Sequence, residues 1–158
     1  MKELIVHGGR ALKGIIKISG SKNAALPCLA ASILTNESVT LKNVPLITDI
    51  KWMVDILHAI NVKVNMHISN RTITVSSSSS SLDFEIPAHL SKLMRGSIIL
   101  LGSLLARCGR VRIYGYGGCP IGKRPIDLHL KAFRLLGAKV KETTSFTELS
   151  ADKLKGAN

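Results

Sequence analysis

Apolar and polar positions recur along this chain as a block. Ala24-Ala25-Leu26-Pro27-Cys28-Leu29-Ala30-Ala31-Ser32-Ile33-Leu34 carries no charge and predicts a buried helix. Shifted by 72 positions, Gly96-Ser97-Ile98-Ile99-Leu100-Leu101-Gly102-Ser103-Leu104-Leu105-Ala106 predicts a second one. The same shift carries the alternating strand Val39-Thr40-Leu41 onto Val111-Arg112-Ile113. A further helix is expected near Ile50 to Ile60, with Ile50, Met53, Val54 and Leu57 on one face. Its counterpart runs from Ile126 to Leu136. Val62-Lys63-Val64 then recurs as Ala138-Lys139-Val140, a shift of 76. The four extra positions (76 against 72) fall in the connector ahead of the second copy's second helix. The first copy's connector is Val44-Pro45-Leu46-Ile47-Thr48-Asp49, a proline turn in which Thr48 and Asp49 are expected to cap the helix.

Each copy therefore reads strand–helix–strand–helix–strand–strand, a repeat that has to be recognised before a fold is named. Leu12-Lys13-Gly14 opens the first copy and reappears as Leu154-Lys155-Gly156, so a third copy is expected to begin there and to be cut off at Asn158. The expected class is α/β (α+β), built from two βαβαββ repeats and a truncated third. The six serines Ser76 to Ser81 follow the strand Thr72-Ile73-Thr74-Val75. They predict a solvated hairpin extension without chemistry of its own.

At 158 residues the chain is long enough for one domain with its own core. It is 46% hydrophobic and only 4% aromatic, so aliphatic side chains have to build that core. Twenty-two Lys+Arg against 10 Asp+Glu give a net charge of +12, which favours anionic partners such as phosphorylated metabolites. The cations are scattered singly and no aromatics interleave with them, which argues against a basic stripe for nucleic acid. The longest apolar run, Ile98 to Ala106, is far short of the roughly 20 residues that a bilayer span needs. Cys28, Cys108 and Cys119 are odd in number and show no CxxC spacing, which argues against a disulfide framework or a zinc site. With no apolar stretch of signal-peptide length at the start, a cytoplasmic setting is the expectation.

The candidate chemistry clusters in three places. Gly115-Tyr116-Gly117-Gly118-Cys119-Pro120-Ile121-Gly122-Lys123-Arg124-Pro125-Ile126-Asp127 sets one thiol among glycines, with two cations just downstream. Glycine permits close backbone approach, and a neighbouring Lys or Arg favours the thiolate. An incidental thiol in a Gly-rich turn is the other reading of this segment. Gly20-Ser21-Lys22-Asn23 precedes the first buried helix and Lys92-Leu93-Met94-Arg95 precedes its copy, with Asn23 falling on Arg95 under the 72-residue shift. Helix starts expose unpaired N–H groups that attract phosphate or carboxylate. Lys22, Asn23, Arg95 and Lys123-Arg124 together suggest a shared anion pocket. Pro125 and Asp127 suit the first turn of a helix on structural grounds alone. Cys28 and Cys108 read as small core residues, Trp52 and Phe133 as packing residues, and His129 as a surface or packing histidine.

Three motifs carry a resemblance: Ser19-Gly20-Ser21-Lys22-Asn23-Ala24-Ala25-Leu26-Pro27, Leu93-Met94-Arg95-Gly96-Ser97, and Gly117-Gly118-Cys119-Pro120-Ile121-Gly122-Lys123-Arg124-Pro125-Ile126-Asp127-Leu128-His129. In order, and over essentially the whole chain, they resemble the N-terminal part of the UDP-N-acetylglucosamine 1-carboxyvinyltransferase family of enolpyruvyl transferases. The resemblance implies an inverse α/β prism, with three repeats per domain around a pseudo-threefold axis. It implies that residues 1–20 form a strand segment belonging with a second domain, and that 21–158 are an incomplete first domain. The implied reaction moves the enolpyruvyl group of phosphoenolpyruvate to the 3-hydroxyl of UDP-N-acetylglucosamine and releases phosphate, toward peptidoglycan. By position, Lys22 matches the cation holding the phosphoenolpyruvate phosphate, Asn23 a sugar-side contact, and Arg95 a UDP-sugar contact. Cys119 matches the loop cysteine that donates a proton to the methylene carbon and forms a covalent adduct. Arg124 matches an anion-clamping arginine, and Arg124, Pro125, Ile126, Asp127 and Leu128 match the edge of the uridine pocket. The resemblance implies no cofactor and no metal, since Lys and Arg supply the positive charge. The family's general-base aspartate and a second-domain arginine have no counterpart here, so these residues alone are expected to be inactive. A non-catalytic truncated relative that binds a UDP-sugar or a partner protein is the alternative.

Overall fold

A computed structural model of the chain describes residues 3–117 and 125–157. The first copy contributes α1 (Lys22–Ala31), a 3-10 turn (Ser32–Leu34), β1 (Val39–Leu41), α2 (Thr48–Ala59), β2 (Lys63–His67) and β3 (Thr72–Ser76). The second contributes β4 (Glu85–Ile86), α3 (Ala88–Ser91), a 3-10 turn (Arg95–Ile99) that runs into α4 (Leu100–Cys108), β5 (Arg110–Ile113), α5 (Asp127–Leu135), β6 (Lys139–Glu142) and β7 (Thr147–Ser150). The elements follow the periodicity of the sequence to within a few residues at each end.

The two sheets are built alike. One has the order β1-β3-β2 with antiparallel neighbours. The other has the order β4-β5-β7-β6, with β4 parallel to β5 and the remaining pairs antiparallel. β1, β3 and β2 thus hold the places that β5, β7 and β6 hold in the second sheet. The first copy departs from the expected repeat in one respect. Its opening strand is not formed, because residues 3–21 contribute no strand, and Leu4, Leu12, Ile15 and Ile18 stand exposed.

Aliphatic side chains build the core, as the low aromatic content requires. Leu29 and Ile33 from the first buried segment meet Leu100, Leu101 and Leu104 from its copy, all with 1% exposure or less. α1 packs on α2, β1 and α4, while α4 also packs on β5 and β7. Burying each such Leu or Ile contributes about 1.5–3 kcal/mol relative to leaving it in water. Trp52 and Phe133 pack against this core. α4 ends at Gly109, whose φ of +67° closes the helix in the left-handed region that favours glycine.

A second source of order is ionic. On the polar face of the second sheet, Glu148 accepts hydrogen bonds from Arg110 Nη2 at 2.9 Å and Arg112 Nε at 2.7 Å. Arg112 Nη1 reaches Glu85 on β4 at 2.5 Å, and the Arg112 guanidinium lies 4.9 Å from the Phe146 ring centre. One arginine thereby ties three neighbouring strands. Partial burial alone would push the Glu148 carboxyl up, but the Arg110 and Arg112 hydrogen bonds outweigh it and hold the group below its ordinary value. Its stabilising contribution is therefore present above the unfolded carboxyl's pKa and is lost as pH falls through the folded one. Glu148→Gln should lower the unfolding free energy by about 1–3 kcal/mol at neutral pH. In urea titrations that deficit should shrink below about pH 4. An undiminished deficit in acid would contradict the assignment.

Candidate functional site

Lys22 and Asn23 are the first two residues of α1, behind the extended residue Ser21. Lys22 Nζ lies 3.3 Å from Asp49 Oδ1 in the first turn of α2, with the two side chains 44% and 32% exposed. This pair corrects the expected Thr48/Asp49 cap. Ile47 occupies the cap position of α2, no side chain caps the helix, and Asp49 turns to the lysine instead. An ion pair this exposed contributes no more than about 1 kcal/mol.

The glycines at both motifs answer a packing constraint. A Cβ on Gly20 would overlap the Asn43 carbonyl oxygen and come 3.2 Å from Pro45 Cδ. A Cβ on Gly117 would overlap the Lys92 carbonyl oxygen and come 3.1 Å from Met94 N. In each copy the chain entering the buried helix thus crosses the chain leaving the neighbouring strand at backbone contact. Gly117 N–H also donates to Ser91 O at 3.2 Å, and Ser91 O accepts from the buried Ser97 hydroxyl at 2.9 Å. The stem that leads toward residue 119 is pinned there to the turn that leads to Arg95.

Arg95 opens the 3-10 turn ahead of α4. Its Nη2 donates to the Pro125 carbonyl at 3.1 Å, and its Cζ lies 5.5 Å from the centre of the Tyr116 ring. Pro125 was expected in the first turn of α5, but the helix starts at Asp127 with Ile126 at the cap, so Pro125 precedes it and offers its carbonyl to Arg95. Ile126 is buried and anchors this end, whereas Asp127 and Leu128 are exposed on the first turn of α5. The turn bearing Arg95 also packs against α1, where a Cβ on Gly96 would come 3.1 Å from Leu26 Cδ1. The structure thus brings Arg95 to Pro125 and Lys22 to Asp49, with the two groups on adjoining elements. Cys119, Lys123 and Arg124 lie outside the described residues.

Two partners escaped the sequence reading. Asp49 was read as a cap, although a carboxylate at a connector's end is equally a partner for a lysine at another helix start. Tyr116 stands in the Gly-rich motif with nothing in the sequence to mark its partner, and its ring is Arg95's neighbour. Cys28 needs correcting as well: it is exposed, on a cleft of about 480 Å³ that Gly20, Ala24, Leu41 and Asn43 also line. Cys108 is half-buried against the core, and burial pushes its thiol up despite the nearby Arg107. Among the described residues no group of His, Cys, Asp and Glu is arranged to hold a metal ion. No helix there is long and apolar enough to cross a membrane.

The two copies share an αβαββ order, opened by β4 in the second, with cationic side chains at the starts of the buried helical segments, and the fold is that of enolpyruvyl transferases. Residues 6–158 match the family model described as EPSP synthase (3-phosphoshikimate 1-carboxyvinyltransferase), and the chain belongs to that family. It is 44% identical over 156 residues to UDP-N-acetylglucosamine 1-carboxyvinyltransferase 2 of Carboxydothermus hydrogenoformans, covering 99% of this chain and 36% of the relative. It is 42% identical over 158 residues to the UDP-N-acetylglucosamine 1-carboxyvinyltransferase of Lawsonia intracellularis, covering 37% of that protein. The chain therefore spans little more than a third of the length of these curated relatives. Among solved structures it is similar to the enolpyruvyl transferase NikO from Streptomyces tendae, with a TM-score of 0.78 and 26% identity over 94% of this chain and 32% of that one. An EPSP synthase from Acinetobacter baumannii shares the fold, with a TM-score of 0.71 at 19% identity over 94% of this chain and 34% of that one.

Two outcomes follow from this geometry. Gly20→Ala and Gly117→Ala should each destabilise the chain by about 1–3 kcal/mol, because backbone must move to admit the new methyl group. Gly14→Ala, with nothing within 4 Å, serves as the control in the same thermal melts. Iodoacetamide at pH 8 should label Cys28 well before Cys108, as peptide mass mapping would reveal. Equal rates would mean that exposure and the raised Cys108 pKa do not govern these thiols.

Proposed function

We propose that this chain forms part of an enolpyruvyl transferase acting on phosphoenolpyruvate and UDP-N-acetylglucosamine in peptidoglycan synthesis. The observation that carries the reading is its identity of 40–44%, along its whole length, with relatives of that name. The ionic arrangement supports it. Lys22, paired with a partly exposed carboxylate, is suited to exchange Asp49 for the phosphate of phosphoenolpyruvate. Asn23, next on the same helix start, lies within the sugar-side group of contacts. Arg95, with Pro125, Ile126, Asp127 and Leu128, forms the edge that meets the uridine diphosphate.

In this reading a base beyond these residues takes the proton of the sugar 3-hydroxyl, whose oxygen adds to C2 of phosphoenolpyruvate while C3 gains a proton from the Cys119 thiol, giving a tetrahedral ketal. Loss of a proton from C3 then expels the phosphate and restores the double bond. Lys22 and Arg124 offset the charge that builds on the phosphate and carboxylate, which is electrostatic catalysis. Residues 1–20 join a second domain, residues 21–158 are part of the first, and the setting is cytoplasmic. A base and one wall of the cleft come from polypeptide beyond these residues. The 158-residue chain therefore binds weakly and turns over negligibly by itself.

The test is a chimera in which this chain replaces the matching third of the Lawsonia intracellularis relative. Phosphate release from phosphoenolpyruvate and UDP-N-acetylglucosamine should persist. It should fall at least 100-fold with Cys119→Ser and with Lys22→Ala, a loss on the order of 3 kcal/mol of transition-state stabilisation. An inactive but folded chimera that still binds UDP-N-acetylglucosamine would favour a non-catalytic UDP-sugar module instead. Phosphate release by the isolated chain would overturn the claim that it is inactive alone.

A further inference from the structure

Arg95 is held on two sides by residues that flank positions 118–124. Below it lies the Tyr116 ring, 5.5 Å from Cζ to the ring centre, and beside it the Pro125 carbonyl, 3.1 Å from Nη2. Tyr116 itself is fixed: it packs against the hydrophobic core, and its neighbour Gly117 is pinned by the hydrogen bond to Ser91 O. Pro125 is fixed in turn by the buried Ile126. A guanidinium stacks well on an aromatic face because its charge is delocalised over a plane. A long arginine side chain otherwise samples many rotamers, and ordering it costs entropy when a ligand binds.

We propose that Tyr116 is a positioning residue for Arg95. Its ring holds the guanidinium in one orientation before a ligand arrives, so the ordering cost falls on the fold and the affinity for a sugar nucleotide rises. The contact uses the face of the ring, and the phenolic oxygen is dispensable. Tyr116 therefore acts on binding through Arg95 and takes no part in the chemistry. This rests on the reading that Arg95 meets the UDP-sugar, yet the ring–guanidinium contact can be measured without any ligand.

The experiment compares Tyr116→Phe and Tyr116→Leu in the full 158-residue chain, with isotope-labelled arginine. The Arg95 side-chain resonances are assigned by their loss in Arg95→Lys. The expected result has three parts. Tyr116→Phe keeps the ring-current shift of Arg95 and leaves UDP-N-acetylglucosamine affinity within twofold of the parent. Tyr116→Leu abolishes the shift and weakens binding about three- to fivefold. Circular dichroism confirms that each variant is folded, and Tyr116→Met replaces the leucine variant if that one is not. A shift that persists in the leucine variant overturns the proposal, as does a phenylalanine variant that behaves like leucine. A lost shift with unchanged affinity overturns the binding role. Where the isolated chain binds UDP-N-acetylglucosamine too weakly to measure, the affinities are taken in the Lawsonia intracellularis chimera; a folded parent chimera that does not bind it overturns the sugar-nucleotide reading, and the resonances then decide alone whether Tyr116 positions Arg95.

Discussion

Backbone touches backbone at two chain crossings, and the placement of the cationic side chains depends on both. At each crossing one partner has to lack a Cβ. The first copy places its glycine on the segment entering the helix, as Gly20, opposite Asn43. The second places it on the segment leaving the strand, as Gly117, opposite Lys92. Because glycine has no side chain, the helix start can be drawn against the sheet end, and the residues that follow, Lys22 and Arg95, open from that junction. Gly117 thus has a structural task that is separate from any approach by a ligand.

The duplicated units share a second device. In each copy the connector that leads to the second helix returns to a polar side chain at the start of the buried helical segment. In the first copy Asp49 meets Lys22, and in the second the Pro125 carbonyl meets Arg95. Under the 76-residue shift Asp49 falls on Pro125, and under the 72-residue shift Arg95 falls on Asn23, one residue from Lys22. The tie is the same although the chemistry of the acceptor has changed from carboxylate to carbonyl. Keeping such a tie lets the second copy lengthen its connector by four residues without displacing the anchors.

Much of this architecture was legible in the sequence because a repeated hydrophobic pattern fixes element type and order. The strand Val39–Leu41 and the helix after the Pro45 turn emerge where the periodicity puts them. Ties between elements were less legible, since a charged residue's partner depends on tertiary approach. Asp49 is equally plausible as a cap and as a lysine partner until the helix starts are placed side by side. Cys28 sits in an apolar run, yet α1 turns that position to a cleft instead of the core. The alternation of Arg110 and Arg112 with Val111 and Ile113 was a readable sign of a polar sheet face, and Glu148 beside the buried Leu149 repeats it. The opening strand of the first copy failed to form for a different reason. β4 gains order from Ile86, fully buried against the core beside β5, whereas Ile15 and Ile18 find no such cover among the described residues.

The net charge of +12 therefore divides into cations with different tasks. Arg112 lies between two carboxylates and two aromatic rings. Its hydrogen bonds to Tyr114 and Glu148, with the charges of Glu148 and Glu85, raise its pKa further, so its charge is committed to holding strands together. Moving any one of these groups would break several contacts at once, which makes the cluster a poor place to receive a substrate. Lys22, by contrast, is tied among the described residues to one partly exposed carboxylate, a weak interaction. Arg95 lies against the Tyr116 ring face and donates to the Pro125 carbonyl. The chain thus saturates one cation, Arg112, to hold a sheet together and keeps another, Lys22, in a weak and solvent-exposed pair.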